Sequence, residues 1–190
     1  MLAAAGLATQ LLPCAALAGG KKRRPTASID AEAHNDRVLR TLLQPDAPLR
    51  RWRGVVIHHT ASEHSSLARI DAYHRRRFDD PLGCQYHFLI HNGRKGPEGL
   101  IEPARWRHQE RATHLFNPHL APEAVAVSLV GNFEKRRPRE RQLGPVVQLV
   151  SQLCAGLGIP LERVTTHRRV DGRLTQCPGK RFPFEEVMRR

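Results

Sequence analysis

Two apolar, β-branched runs, Val55-Val56-Ile57-His58-His59-Thr60 and Val164-Thr165-Thr166-His167, each deliver imidazole at their end, more than a hundred residues apart. Ten residues after His167 comes Cys177, in Gln176-Cys177-Pro178-Gly179. Two imidazoles and a thiolate are a donor set that a catalytic zinc site uses while keeping its fourth position open. Structural sites usually close with four ligands, often in C-x-x-C pairs, and this sequence has no such pair. The chain must therefore fold so that the ends of two distant strands meet beside a cysteine-bearing turn. The donor count favours chemistry over scaffolding.

The rest of the pattern is compatible with such a fold. Asp36 to Leu43 reads as a short helix, ended by Pro45-Asp46-Ala47-Pro48. Val55 to His59 is a buried strand by its β-branched apolar composition. Ser62 or Ser65-Ser66 caps a helix running to about Phe78, with Leu67, Ile70 and Ala72 on a partial apolar stripe. Tyr86 to His91 is a strand ended by the turn signal Asn92-Gly93, and Leu100-Ile101-Glu102 is its return. Residues 104 to 123 show no clean period and read as a long surface loop. Val125 to Val130 is a central strand. Arg139 to Leu157 carries Leu143, Val146, Leu149, Val150 and Leu153 at helical spacing, with Gly158 as its stop. A last strand, Val164 to Thr166, precedes His167, and Phe182 to Met188 forms a terminal helix. The expected architecture is a single α/β domain, a mixed central β-sheet flanked by helices. Its length of 190 residues suits one domain with a real core.

Residues 1–18 contain no charge, are rich in Ala and Leu, and end in Ala16-Leu17-Ala18, the small-x-small pattern of a signal peptidase site. They read as a signal peptide without a basic n-region, and secreted or periplasmic as the location. The stretch is too interrupted by Gly and Pro to read as a stable membrane span. Lipid anchoring at Cys14 is the lesser alternative, because Pro13 stands where such sites have a small residue. Residues 19–49 read as a basic linker and N-terminal extension, the polar stretch 19–34 as flexible, and 50–190 as the catalytic domain. In an oxidising compartment Cys84 and Cys154 either pair or serve as small buried hydrophobes. The net charge of +13 seeks a polyanion. No nucleic-acid module is readable and aromatics are only 5%, which argues against a base-stacking surface and leaves an anionic cell-wall polymer as the better match for an exported chain.

Four blocks, in order, carry a family resemblance: Val56-Ile57-His58-His59-Thr60, Gln85-Tyr86-His87-Phe88-Leu89-Ile90, Val127-Ser128-Leu129-Val130-Gly131-Asn132-Phe133 and Thr175-Gln176-Cys177-Pro178-Gly179. Across roughly residues 50 to 187 the chain resembles the zinc amidases that include phage-type N-acetylmuramoyl-L-alanine amidases and the peptidoglycan recognition proteins. Adjacent strand residues face opposite sides, so only one of His58 and His59 reaches a given site, and residue chemistry does not choose between them. The resemblance implies His58, together with His167 and Cys177, as ligands to Zn2+. It implies that Tyr86 points its hydroxyl at the substrate carbonyl, where the bland reading is a half-buried strand tyrosine. It places Thr175 near the oxyanion, where relatives carry Lys or Thr, and Thr points to the peptidoglycan-recognition-like branch. It makes His114 a substrate contact, although Leu115-Phe116 departs from the small-residue turn that follows in relatives. His64, His74, His87, His91, His108 and His119 read as surface or packing residues, and the runs Arg75-Arg76-Arg77 and Arg136-Arg137 as solvated faces.

The function this implies is hydrolysis of the amide between N-acetylmuramic acid and L-alanine of the stem peptide, by a monomer acting on peptidoglycan or muropeptides. A non-catalytic peptidoglycan-binding module is the alternative. Retention of the ligand cysteine separates the two in favour of the enzyme.

Overall fold

A computed structural model describes residues 30–112 and 117–190. Among these residues five α-helices and five strands follow in the order α1 (Ala31–Arg40), β1 (Gly54–His59), α2 (Leu67–Phe78), β2 (Phe88–Ile90), β3 (Ile101–Pro103), β4 (Ala124–Leu129), α3 (Glu140–Leu157), β5 (Val164–Thr166), α4 (His167–Asp171) and α5 (Phe184–Arg189). The strands form one sheet in the order β3-β2-β4-β1-β5. β1 lies parallel between β4 and β5, β2 lies parallel to β4, and only the edge strand β3 runs antiparallel. The mixed sheet flanked by helices is the expected architecture.

The long central strands read as continuous apolar runs because both of their faces are covered. All six residues of β1 and all six of β4 are buried. Val55, Ile57, Val125, Val127, Phe88 and Ile90 face one side and pack with Leu143, Val146, Leu149 and Leu153 of α3. On the opposite face Leu89, Ala126 and Val130 meet Ile70 of α2. The period of two thus turns Ile57 toward α3 and His58 away from it. Gln142 of α3 is 1% exposed and caps the sheet end, donating to the Val130 carbonyl at 3.0 Å.

Several sequence expectations shift. Of the stretch 19–34, expected to be flexible, the part from Ala31 onward is helical, because the Asp30 side chain caps α1 by accepting from Glu32 and Ala33 N–H. The helix therefore starts five residues earlier than Asp36 and docks on the domain through Val38, Leu39 and Asn35, the last 6% exposed. β2 is shorter than expected, and Tyr86 precedes it. Within the expected surface loop, Arg105–His108 forms a 3-10 turn in which Arg105 and Trp106 are buried. The Arg105 guanidinium meets the Asp80 carboxylate at 2.7 Å and donates to the Cys84 carbonyl at 2.8 Å, which fixes the segment leading to Tyr86. Cys84 and Cys154 are both free, buried in clusters on opposite faces of the sheet, so the pairing alternative is closed and the packing role holds. The signal-peptide and lipid-anchor readings, at residues 1–18 and Cys14, fall outside the described residues, as does His114. Among the described residues no helix is long and apolar enough to cross a membrane.

Candidate metal centre

In sheets of parallel strands, ligand sites form beyond the carboxyl ends of the strands. Here the carboxyl ends of the neighbours β1 and β5 deliver His58 and His167. Thr166 ends β5 and caps α4, its hydroxyl accepting from Arg169 N–H at 3.3 Å, so the chain turns from strand to helix at His167. The two imidazole rings come to 4.7 Å between centroids.

The third donor arrives on the turn after α4. Arg168 N–H donates to the Cys177 carbonyl at 2.7 Å, and the Thr175 hydroxyl accepts from Cys177 N–H at 3.1 Å. Gly179 sits at φ +107° against the Phe133–Glu134 peptide, where a Cβ would stand 2.3 Å from backbone atoms. Only glycine allows that approach. It presses the cysteine turn onto the segment after β4 and aims Sγ inward, 3.6 Å from His58 Nδ1.

One donor atom from each of His58, His167 and Cys177 lies within 4.8 Å of the others. A tetrahedral zinc ion with a Zn–S bond of about 2.3 Å and a Zn–N bond of about 2.0 Å sets these donors roughly 3.5 Å apart. The Cys177–His58 separation already matches, so the residues fit the ion. His59 turns to the other face: its Nδ1 accepts from Phe133 N–H at 3.1 Å and its ring packs on Phe133. Its backbone N–H donates to Cys177 Sγ at 3.2 Å.

Burial sets the protonation states. It pushes the Cys177 thiol up to about 12, against the opposing pull of the His59 N–H. It lowers His167 below the ordinary histidine range, while Asp171 pulls the other way. Burial also holds the Tyr86 phenol well above its usual range, with Cys177 adding to the effect. Tyr86 is therefore a neutral donor, packed 5.4 Å from the His58 ring and directed at the His59 carbonyl, 3.4 Å away.

These groups lie along a cleft of about 1150 Å³ whose walls come from α2, from the ends of β1 and β4, and from Leu174–Cys177. Tyr86, Thr175, His167 and Cys177 all line it. Arg69, Arg76 and Arg77 of α2, with Lys135 opposite, make its walls basic. Arg76 and Arg77 are exposed, as expected, and their solvated face forms part of the cleft wall. Arg75 pairs with Asp71 at 2.8 Å. His74, His87 and His91 are buried packing residues, as expected. Two acidic neighbours escape a sequence reading. Glu134 lines the cleft and accepts from Lys180 N–H at 2.9 Å. Asp171 stands one helical turn after His167, a spacing that becomes visible only once α4 is known to be a helix.

No curated protein matches this chain. Among solved structures, N-acetylmuramoyl-L-alanine amidase LysC from Clostridium intestinale is 27% identical, with a TM-score of 0.61 over 76% of this chain and 89% of that one. Drosophila PGRP-SD is 19% identical, with a TM-score of 0.57 over 75% and 85%. Drosophila PGRP-LB, solved as a Y78F mutant in complex with tracheal cytotoxin, is 20% identical, with a TM-score of 0.54 over 74% and 85%. The two Drosophila proteins share the fold with this chain. The family model described as N-acetylmuramoyl-L-alanine amidase matches residues 48–180, a span holding His58, His167 and Cys177, and the chain belongs to that family.

Proposed function

We propose that this protein is a zinc-dependent peptidoglycan hydrolase that cleaves the amide between N-acetylmuramic acid and L-alanine of the stem peptide. The observation that carries the reading is the convergence of His58, His167 and Cys177 on the cleft. Three protein donors leave a fourth corner for water or substrate. When bound, zinc supplies a Lewis acid that polarises the amide carbonyl and acidifies water. The chain's own groups do the rest. The neutral Tyr86 hydroxyl, at the His58 edge of the cleft, donates a hydrogen bond to the oxygen on which negative charge develops. Thr175, whose oxygen already accepts from Cys177 N–H, keeps its own O–H proton for the same oxygen. As the tetrahedral intermediate collapses we assign Tyr86 to relay a proton to the leaving amine, its phenol taking back the proton that the attacking water releases. The basic walls suit an anionic wall polymer, and we assign His114 as a substrate contact. The polymer lies outside the cytoplasm, so we assign residues 1–18 as a signal peptide, 19–49 as the N-terminal extension and 50–190 as the amidase domain of a secreted or periplasmic monomer.

The test is zinc analysis of the purified protein joined to digestion of muropeptides. About one zinc per chain is expected, with a new L-Ala amino terminus in the products. Exhaustive chelation should abolish cleavage, and added zinc should restore it. Full turnover by a chelated, metal-free protein would overturn the reading. Tight muropeptide binding without cleavage by the zinc-loaded protein would establish the binding module instead.

A further inference from the structure

Asp171 closes α4 with a side chain that is 1% exposed. A carboxylate buried to that degree is stable only when its oxygens are matched by donors. Both of them are. Oδ2 lies 2.8 Å from His167 Nε2, and Oδ1 accepts from the backbone N–H of Asn117 at 3.0 Å. Asn117 in turn organises the turn that follows it, its side-chain oxygen accepting from His119 and Leu120 N–H at 3.0 and 3.1 Å.

The helix supplies the first contact. Residues four apart lie on one helical face, so the short α4 is enough to set Asp171 beside His167. The chemistry of imidazole supplies the consequence. An ionised carboxylate has no proton to give, so His167 Nε2 is the donor. A neutral imidazole with its proton at Nε2 carries its lone pair at Nδ1.

We infer that Asp171 is a positioning residue of the metal centre: it holds His167 in the tautomer and ring orientation that present Nδ1 to the ion, and it ties that ligand to the turn at Asn117. The inference rests on the zinc reading above. Carboxylates that hold a ligating histidine by its other nitrogen typically change metal affinity by about 10- to 100-fold when removed. Asp171 differs from a plain buried carboxylate in serving two segments at once. Asparagine in its place keeps an acceptor oxygen at only one of the two positions and sets an NH2 donor, which cannot accept, at the other.

The experiment titrates zinc against a competing chelator into the wild-type chain, Asp171→Asn, Asp171→Ala and Cys177→Ala, with nitrogen-15 NMR of His167 in the metal-free wild type. We expect Asp171→Ala to weaken zinc binding about 10- to 100-fold. Asp171→Asn should fall between it and wild type, and metal-free His167 should show the Nε2–H tautomer. If Asp171→Ala does not fold, Asp171→Asn and the tautomer carry the test. An Nδ1–H tautomer in the wild type, or a zinc affinity unchanged in both Asp171 variants, overturns the role of Asp171 alone. A wild type whose zinc affinity equals that of Cys177→Ala overturns the reading of the site itself.

Discussion

His58 and His59 are neighbours in sequence and differ in everything that matters to a metal. One ring faces His167 and Cys177; the other accepts a backbone hydrogen bond from Phe133 and packs on its ring. His58→Ala should lose zinc. His59→Ala should keep most of its zinc and lose stability by about 1–3 kcal/mol, since it leaves the buried Phe133 N–H without its acceptor. Zinc content and denaturant melts of the two variants check this, and the reverse pattern would move the ligand to His59. Tyr86→Phe deletes one hydroxyl and keeps the ring. Turnover should drop about 10- to 1000-fold with zinc content and muropeptide affinity held, the signature of an interaction made in the transition state. Wild-type turnover in Tyr86→Phe would reduce the residue to packing. That His58, His167 and Cys177 come together was legible in the blocks that resemble the amidase family, not in the residue types alone. What strand alternation left open was which histidine turns to which face. Asp171 was not legible, because an acid after Arg168-Arg169-Val170 looks like any charged loop residue.

At the scale of elements, the reading worked where burial dictates the pattern and failed where a side chain does. β1, β4 and α3 are apolar at the positions their neighbours cover, and their periodicity says so. α4 has no apolar stripe to read: the Thr166 cap makes it a helix. The start of α1 was missed for the same reason, since Asp30 acts through its oxygen and carries no periodic signal. The turn at Gly179 is the element on which the cysteine depends. Gly179→Ala would force a Cβ to within 2.3 Å of the Phe133–Glu134 backbone at a φ of +107°. A cost of about 2 kcal/mol or more is expected. Weaker zinc binding should accompany it, because the clash moves Cys177. Melting and zinc titration of Gly179→Ala measure both, and a variant matching wild type in each would show that the turn yields without moving the thiol.

For the whole molecule, buried neutral histidines couple stability to acidity. Burial lowers His87 to about 3 and His74 to about 4, the Arg105 charge adding in each case. Both are hydrogen-bond acceptors for the backbone, His87 from Ala126 N–H at 2.8 Å and His74 from Gln85 N–H at 3.0 Å. Their folded values lie below the unfolded value near 6.5, so the unfolded chain binds more protons in the interval between. Stability from these groups is complete above about pH 6.5 and falls as pH drops toward 4, by up to about 1.4 kcal/mol per unit for each. Urea midpoints measured at pH 7.5 and 5 should therefore differ clearly, with the lower value in acid. Equal midpoints would mean that the two rings are already charged in the fold.

The packing of α1 on the domain reaches further than its size suggests. β3 forms one border of the sheet, and its outward backbone groups at Ile101 are taken by side chains of α1: Asn35 accepts from Ile101 N–H at 2.7 Å, and His34 Nε2 meets the Ile101 carbonyl at 3.0 Å. Asn35 also donates to the Gly99 carbonyl at 2.8 Å. Two polar side chains thus occupy the places that a sixth strand would take. Yet α1 precedes residue 48, where the match to the family begins. A protein trimmed to that boundary would keep the cleft and its donors and bare a row of backbone groups ready to pair with another copy. Its sedimentation should shift toward larger species as concentration rises, while the untrimmed chain stays at one size. Shielding that border is a task given to a helix that lies outside the span matched to the family.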